Sequence, residues 1–294
     1  MRKITCTNIT NNVSAAFSDD TKPFWLVEAE GLYTVDITVN SIVNSMTDGS
    51  TVAGSVVRAR NIVLTLANHL EHGVNRNLLY YLFMPKTKGV LTYEEVEGDF
   101  YEKREIDYVV EKVESESMYS GRLNVVSLHC PDPFFRDIYD TTIDAIGWEA
   151  GFEFDHEFVD AGEEISTFYQ NKLVTLTNDS TVGDIGFTVE LTAEAEVVNP
   201  RLYSLEQEAY IQIGSSGNPF TLNTGETLII STVSGNKNAY LISNGVRTIV
   251  NNYIEEGSEY IQLINGTNTI RMSADSGEDH LLMKISYRYK YQGV

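Results

Sequence analysis

From about residue 160 to the C-terminus, short alternating segments recur roughly every 10–15 residues, and that rhythm leaves few folds open. "LVTLTN", "IGFTVELTA", "AYIQIG", "TLIISTV", "AYLIS", "VRTIV", "YIQLI", "NTIRMS" and "LLMKISYRYKY" each read as a strand. Polar and glycine-rich turns separate them: Asn-Asp-Ser, Gly-Ser-Ser-Gly-Asn-Pro, Thr-Gly, Ser-Gly-Asn, Ser-Asn-Gly and Asn-Gly-Thr. Runs this short, with nothing between them long enough for a crossover helix, predict an antiparallel sandwich or jelly roll over 160–294.

The first 135 residues read differently. "LYTVDITVN" (32–40) alternates at period two, and "GSVVRARNIVLTLA" (54–67) is long and β-branched, with Arg58 and Arg60 on one face. "NRNLLYYLFMPKTKG" (75–89) predicts one short helix: Asn75 or Asn77 caps it, Leu78, Leu79, Leu82 and Phe83 give it an apolar stripe, and Pro85 stops it. "VLTY", "REIDYVVEKVE" and "RLNVVSLHC" follow as strands, the last two around a polar turn at 115–121. The chain of 294 residues therefore divides into a β-rich domain over 1–135 and a sandwich over 160–294. Between them, 136–159 carries seven acids and one base, interleaved with Trp148, Phe152, Phe154 and Phe158. This predicts an exposed acidic connector whose aromatics lie against a domain.

A net charge of −21 repels phosphate backbones, so non-specific nucleic-acid binding is not expected. The opening "MRKITCTNITNN" lacks the apolar run of a signal peptide, and no segment approaches the ~18–20 apolar residues of a membrane span. The expectation is a chain made and folded in a cytosol. Two cysteines, Cys6 and Cys130, are no disulfide framework and read as small buried apolar residues.

The stretch "SLHCPDPFFRD" (127–137) is the densest in chemistry. Adjacent strand residues point to opposite faces, so His129 cannot serve Cys130 as a base. One Cys and one His fall short of the four ligands of a structural zinc. His69 and His72 have i, i+3 spacing but lack nearby partners. The stronger reading is a structural corner formed by Cys130, Pro131, Asp132, Pro133, Phe134 and Phe135. The two prolines force extended backbone before them and withhold two N–H donors, ending a strand, and the two phenylalanines anchor the exit. No GxSxG, Walker A, HExxH or GxGxxG pattern occurs. Acidic pairs such as Glu94-Glu95 read as solvated faces, and "DSGED" (275–279) reads as a polar turn rather than a calcium loop. No catalytic residue, cofactor or metal is expected.

In order, "GSVVRARNIVLTL", "NRNLLYYLFMPKTKGVLTY", "IDYVVEKVE" and "SLHCPDPFF" resemble the distal tail protein family of siphophages and phage-tail-like particles. "IGFTVEL", "NPRLY", "TGETLIISTVSGNKNAYLI", "GTNTIRMSA" and the terminal "YRYKYQGV" resemble its C-terminal module. The resemblance implies a structural virion protein of the tail tip, assembled in the host cytoplasm. It implies a ring, hexameric, built by the N-terminal domain, with a galectin-like β-sandwich outside it. The ring joins the tail tube to tail-tip or baseplate proteins and leaves a channel for DNA passage. Long strands such as 56–66 suit pairing between subunits, and an acidic interior lets DNA slide. Two other classes stay open: a carbohydrate-binding module for cell-wall glycan, marked by an exposed aromatic platform, and a hydrolase with two carboxylates roughly 5–10 Å apart.

Overall fold

Alternation of buried and exposed positions organises most of the chain into antiparallel sheets, and the protein is mainly β with one α-helix among the described residues. A computed structural model describes residues 2–44, 48–68, 72–115, 123–150, 166–170 and 172–294. Two compact units result: Met1–Ile138 together with Lys290–Val294, and Tyr139–Tyr289.

The first unit contains β1 (Arg2–Asn8), β2 (Val13–Phe17), β3 (Phe24–Glu30), β4 (Ile37–Val43), β5 (Ser50–Val57), β6 (Arg60–Asn68), α1 (His72–Leu82), β7 (Lys88–Glu97), β8 (Phe100–Ser115), β9 (Leu123–Cys130) and β10 (Phe135–Asp137). Its main sheet runs β2-β1-β7-β8-β9-β6-β3. The Leu26 N–H donates to the Ser18 carbonyl at 2.8 Å, drawing the two ends of this path together around the core. Inward residues alternate strictly: Ile62, Leu64 and Leu66 on β6, Leu91 and Tyr93 on β7, Val126, Leu128 and Cys130 on β9. Gly89 leaves the space that Tyr108 fills; a Cβ there would lie 2.3 Å from Tyr108 Cζ and 2.6 Å from the Thr7 carbonyl oxygen.

The helix begins earlier than Asn75, which lies inside it and is buried with Leu79, Leu82 and Phe83. Leu78, expected on the buried stripe, faces solvent, because the burying face follows the 75, 79, 82 spacing instead. The long strand expected over 54–67 is two strands. Val57 ends β5, which pairs only with β4 as a separate hairpin, and Arg60 starts β6 in the main sheet. The break at 58–59 also undoes the expected common face of the two arginines: Arg58 is exposed and Arg60 buried.

The second unit places β11 (Thr141–Asp144), β12 (Ile146–Ala150), β13 (Ser166–Gln170), β14 (Leu173–Asn178), β15 (Phe187–Ala193), β16 (Val197–Val198), β17 (Arg201–Ser204), β18 (Ala209–Gln212), β19 (Thr221–Leu222), β20 (Thr227–Ser231), β21 (Asn238–Ser243), β22 (Val246–Ile249), β23 (Gly266–Ser273) and β24 (Leu281–Tyr287). A sheet of order β11-β24-β15-β20-β21-β22 and one of order β14-β23-β17-β18 share one core. Phe187, Val189 and Leu191 come from the first, and Leu202, Ile270 and Met272 from the second. This is a sandwich of two antiparallel sheets. "YIQLI" forms no strand; it contributes one isolated bridge, Leu263 to Ile185.

Within the expected connector, Arg136 and Asp137 lie in β10, and Thr141–Asp144 is β11 at the edge of a sandwich sheet. Ile146–Ala150 pairs with Ser166–Gln170. Residues 151–159, with Phe152, Phe154, Phe158 and His156, lie outside the described residues.

Candidate functional site

The stretch 130–135 and the strands beside it gather several of the first unit's polar contacts. β9 ends at Cys130, immediately before Pro131, whose missing N–H cannot continue the pairing. Cys130 is buried and His129 exposed, on opposite faces of the strand. The Phe134 N–H donates to Asp132 Oδ1 at 3.2 Å, closing a side-chain turn between the prolines' exits. Phe135 is fully buried, whereas Phe134 is half-buried.

The sequence reading did not find what holds this corner. Lys290–Tyr291 returns from the far end of the chain as a strand and pairs antiparallel with β10, Phe135 opposite Tyr291. β10 in turn pairs with β8. Lys290 Nζ donates to Asp132 Oδ2 at 2.6 Å. Arg60, almost wholly buried, lies 4.9 Å over the Phe135 ring. Its guanidinium donates to the carbonyls of Gly31 (3.2 Å), Leu32 (2.8 Å) and Gln292. Arg104 donates to the Gly293 carbonyl and stacks 3.6 Å over the Tyr291 ring. Both arginines thus use the C-terminal tail as an acceptor. The alternation of aromatic and basic residues in "YRYKYQGV" was the available signal: such a tail fits a surface offering acids and arginine planes.

Charge pairing completes the site. Arg136 on β10 makes two parallel bonds to Asp107, 2.6 and 2.7 Å, and one to Glu105 at 2.9 Å. The hydrogen bonds that Arg136 donates to Asp107 raise its pKa. Burial lowers that of Arg60, which stays charged as any guanidinium does at neutral pH. Burial also raises both thiols, Cys130 to about 12 and Cys6 further. A thiol so placed is protonated at neutral pH and therefore a poor nucleophile.

The remaining candidates are occupied in other ways. Within "DSGED", Asp275 accepts from Asn199 at 2.8 Å, and Glu278 and Asp279 both pair with Lys172 at 2.6 Å. Glu94 and Glu95 point to opposite faces of β7: Glu95 accepts from Arg2 Nε (2.7 Å) and the Tyr93 hydroxyl (2.6 Å), which hold its pKa down. A cavity of about 550 Å³ borders this Glu95 cluster and Tyr33. His69 lies outside the described residues. Among the described residues, no group of three or more His, Cys, Asp or Glu is placed to hold a metal, and no helix is long and apolar enough to cross a membrane.

The fold, rather than a reactive centre, is what relates this chain to known proteins. No family model and no curated protein sequence matches it. Solved structures do. The Dit protein (gp 19.1) of phage SPP1, described as a paradigm of hub adsorption apparatus in Gram-positive infecting phages, superposes with a TM-score of 0.65 at 12% identity, over 98% of both chains. The chain has the fold of a phage tail-tip hub protein. Two structures of the phage P2 baseplate in its activated conformation share this hub fold. One holds Ca, with TM-score 0.54, 10% identity and 100% of both chains covered. The other holds Sr, with TM-score 0.53, 11% identity and 98% of both. The similarity therefore extends over both units.

Proposed function

We propose that this chain is a structural protein of a phage tail tip. It acts as the hub that joins the tail tube to baseplate or tail-tip proteins, in a ring of six copies built by residues 1–135. The observation that carries this reading is the match to hub and baseplate structures over nearly the whole length of both chains. A central channel would pass DNA without binding it, as the charge of −21 favours. Assembly takes place in the host cytoplasm, and the mature location is the virion tail tip. The protein performs no catalysis and needs no cofactor; its two thiols are sealed by burial. Residues 130–135 serve as a structural corner, tying the chain's exit from the first unit to its own C-terminal tail.

The glycan-binding alternative is weaker, because tyrosine faces on the sandwich carry cations. Arg247 lies 3.7 Å over Tyr240, and Arg201 5.1 Å over Tyr210. A sugar would have to displace these stacked groups. Negative-stain imaging of the purified full-length protein tests the proposal. Closed rings with six-fold symmetry are the expected particles, and a field of separate single chains at every concentration counts against it.

A further inference from the structure

Lys290–Val294 lies in the first unit as an extended peptide lies in a recognition groove: backbone bonds hold it, and separate contacts read its side chains. Its strand pairs with β10. The next two carbonyls accept from arginines, Gln292 from Arg60 and Gly293 from Arg104. Lys290 reaches Asp132 at 2.6 Å, and the Tyr291 ring lies 3.6 Å beneath the Arg104 guanidinium. Val294 packs against the unit's apolar core. Gly293 has the least room. A Cβ there would lie 3.2 Å from the Leu32 carbonyl oxygen and 3.3 Å from Tyr33 Cα, both main-chain atoms. The Leu32 carbonyl also accepts from Arg60 at 2.8 Å, so it cannot retreat without giving up that bond. A branched side chain at 293 would crowd these atoms further.

The groove is built to be filled. Arg60 is 4% exposed, and its Nε has no hydrogen-bond partner among the described residues. Without Lys290–Val294 a terminal nitrogen of the same guanidinium loses its acceptor as well, and a buried cation short of acceptors is costly. Arg104 keeps its ion pair with Glu102, so it stays placed to receive the strand. In sequence the whole second unit separates the groove from the segment that fills it. That tether brings the segment close but makes none of the contacts named above, so the recognition belongs to the five residues themselves.

We propose that the first unit carries a peptide-recognition groove, selective for an extended Lys-Tyr-x-Gly-Val strand, which Lys290–Val294 fills in this chain and which a separate peptide of that sequence fills when the segment is removed. The ligand class is an extended peptide with a basic residue, an aromatic residue and a glycine in fixed order. Synthesis runs from the N-terminus, so the groove stays open while the second unit is made and closes when Lys290–Val294 seats.

Fluorescence anisotropy with a Lys-Tyr-Gln-Gly-Val peptide, labelled at its N-terminus, tests this on two proteins beside the wild type. One ends at Tyr289. The other is the full chain carrying Gly293→Val, whose added side chain is expected to displace the segment. Both should bind the peptide saturably at about tens of micromolar, since a free peptide lacks the effective concentration that the tether supplies. The wild type, its groove filled, should not bind. A peptide with the Gly293→Val change should bind at least about tenfold more weakly. If the shorter protein folds only with the peptide present, read by circular dichroism, the groove is supported. A shorter protein that the peptide neither binds nor refolds overturns it. Equal binding by the wild type places the peptide elsewhere and also overturns it. Equal binding of the two peptides, or a folded Gly293→Val chain that excludes the peptide, overturns glycine as the selecting residue.

Discussion

The guanidinium of Arg60 donates a hydrogen bond to the main-chain carbonyl of Gln292, a partner 232 residues away in sequence. A buried cation is tolerable only where acceptors surround it, and three backbone carbonyls do so here. One of the three belongs to the last five residues of the chain, which makes that tail part of the first unit.

Deleting Lys290–Val294 is expected to destabilise the first unit by about 2–4 kcal/mol, from the lost acceptor at Arg60 and the lost Arg104–Tyr291 stack. Urea unfolding followed by Trp25 fluorescence, in a Trp148→Phe background, reads this directly, since these are the two tryptophans. An unchanged midpoint would mean that the tail merely rests on the unit.

The two phenylalanines of the corner should separate sharply. Phe135→Ala removes a fully buried ring beneath Arg60 and is expected to cost about 3–5 kcal/mol. Phe134→Ala, at a half-buried site, should cost under about 1.5 kcal/mol. Equal costs in the same unfolding experiment would remove Phe135 from the role of anchor.

The thiols predict a pH dependence. Both are acids whose folded pKa lies above the unfolded value near 9. The folded state then keeps protons that the unfolded state loses, so stability is full below about pH 8.5 and falls as pH rises. The slope is up to about 1.4 kcal/mol per pH unit for each thiol. Between about pH 9 and 10, before tyrosines ionise in the unfolded chain, Cys6→Ala/Cys130→Ala should flatten the curve relative to wild type. At neutral pH the same variant is expected to lose about 1–3 kcal/mol per site through packing. Parallel pH curves for the two proteins would exclude the thiols as the source.

Gly89→Ala places a methyl group against Tyr108 and the Thr7 carbonyl oxygen, and neither can withdraw from the core without breaking the β1–β7 pairing. A loss of at least about 2 kcal/mol is expected, and pairing with Tyr108→Leu should recover part of it. The double-mutant cycle measures that recovery; strict additivity would argue against the contact.

How far the sequence reveals this depends on the range of each interaction. Strand alternation is local, so β6 to β9 and most of the sandwich strands were legible, as was the strand end at Pro131. The helix was legible as an element, but its buried face was not. Leu78 and Leu79 are equally apolar, and only the 75, 79, 82 spacing, with a buried asparagine in it, distinguishes them. The single long strand read over 54–67 failed because β-branched residues, Val56-Val57 and Ile62-Val63, flank the break at Arg58 on both sides. That break changes the pairing partner, and partner choice leaves no mark in local composition. The tail was illegible for the same reason: a contact between Arg60 and Gln292 has no periodicity to betray it. Arg136 was counted as the one base of an acidic connector, while its partners Asp107 and Glu105 lie on a strand some thirty residues earlier.

The most direct test of the account is the mass of the assembled full-length protein, measured by native mass spectrometry and by light scattering at tens of micromolar and moderate salt. The account predicts a closed species of six chains. A single-chain mass under all these conditions would contradict it.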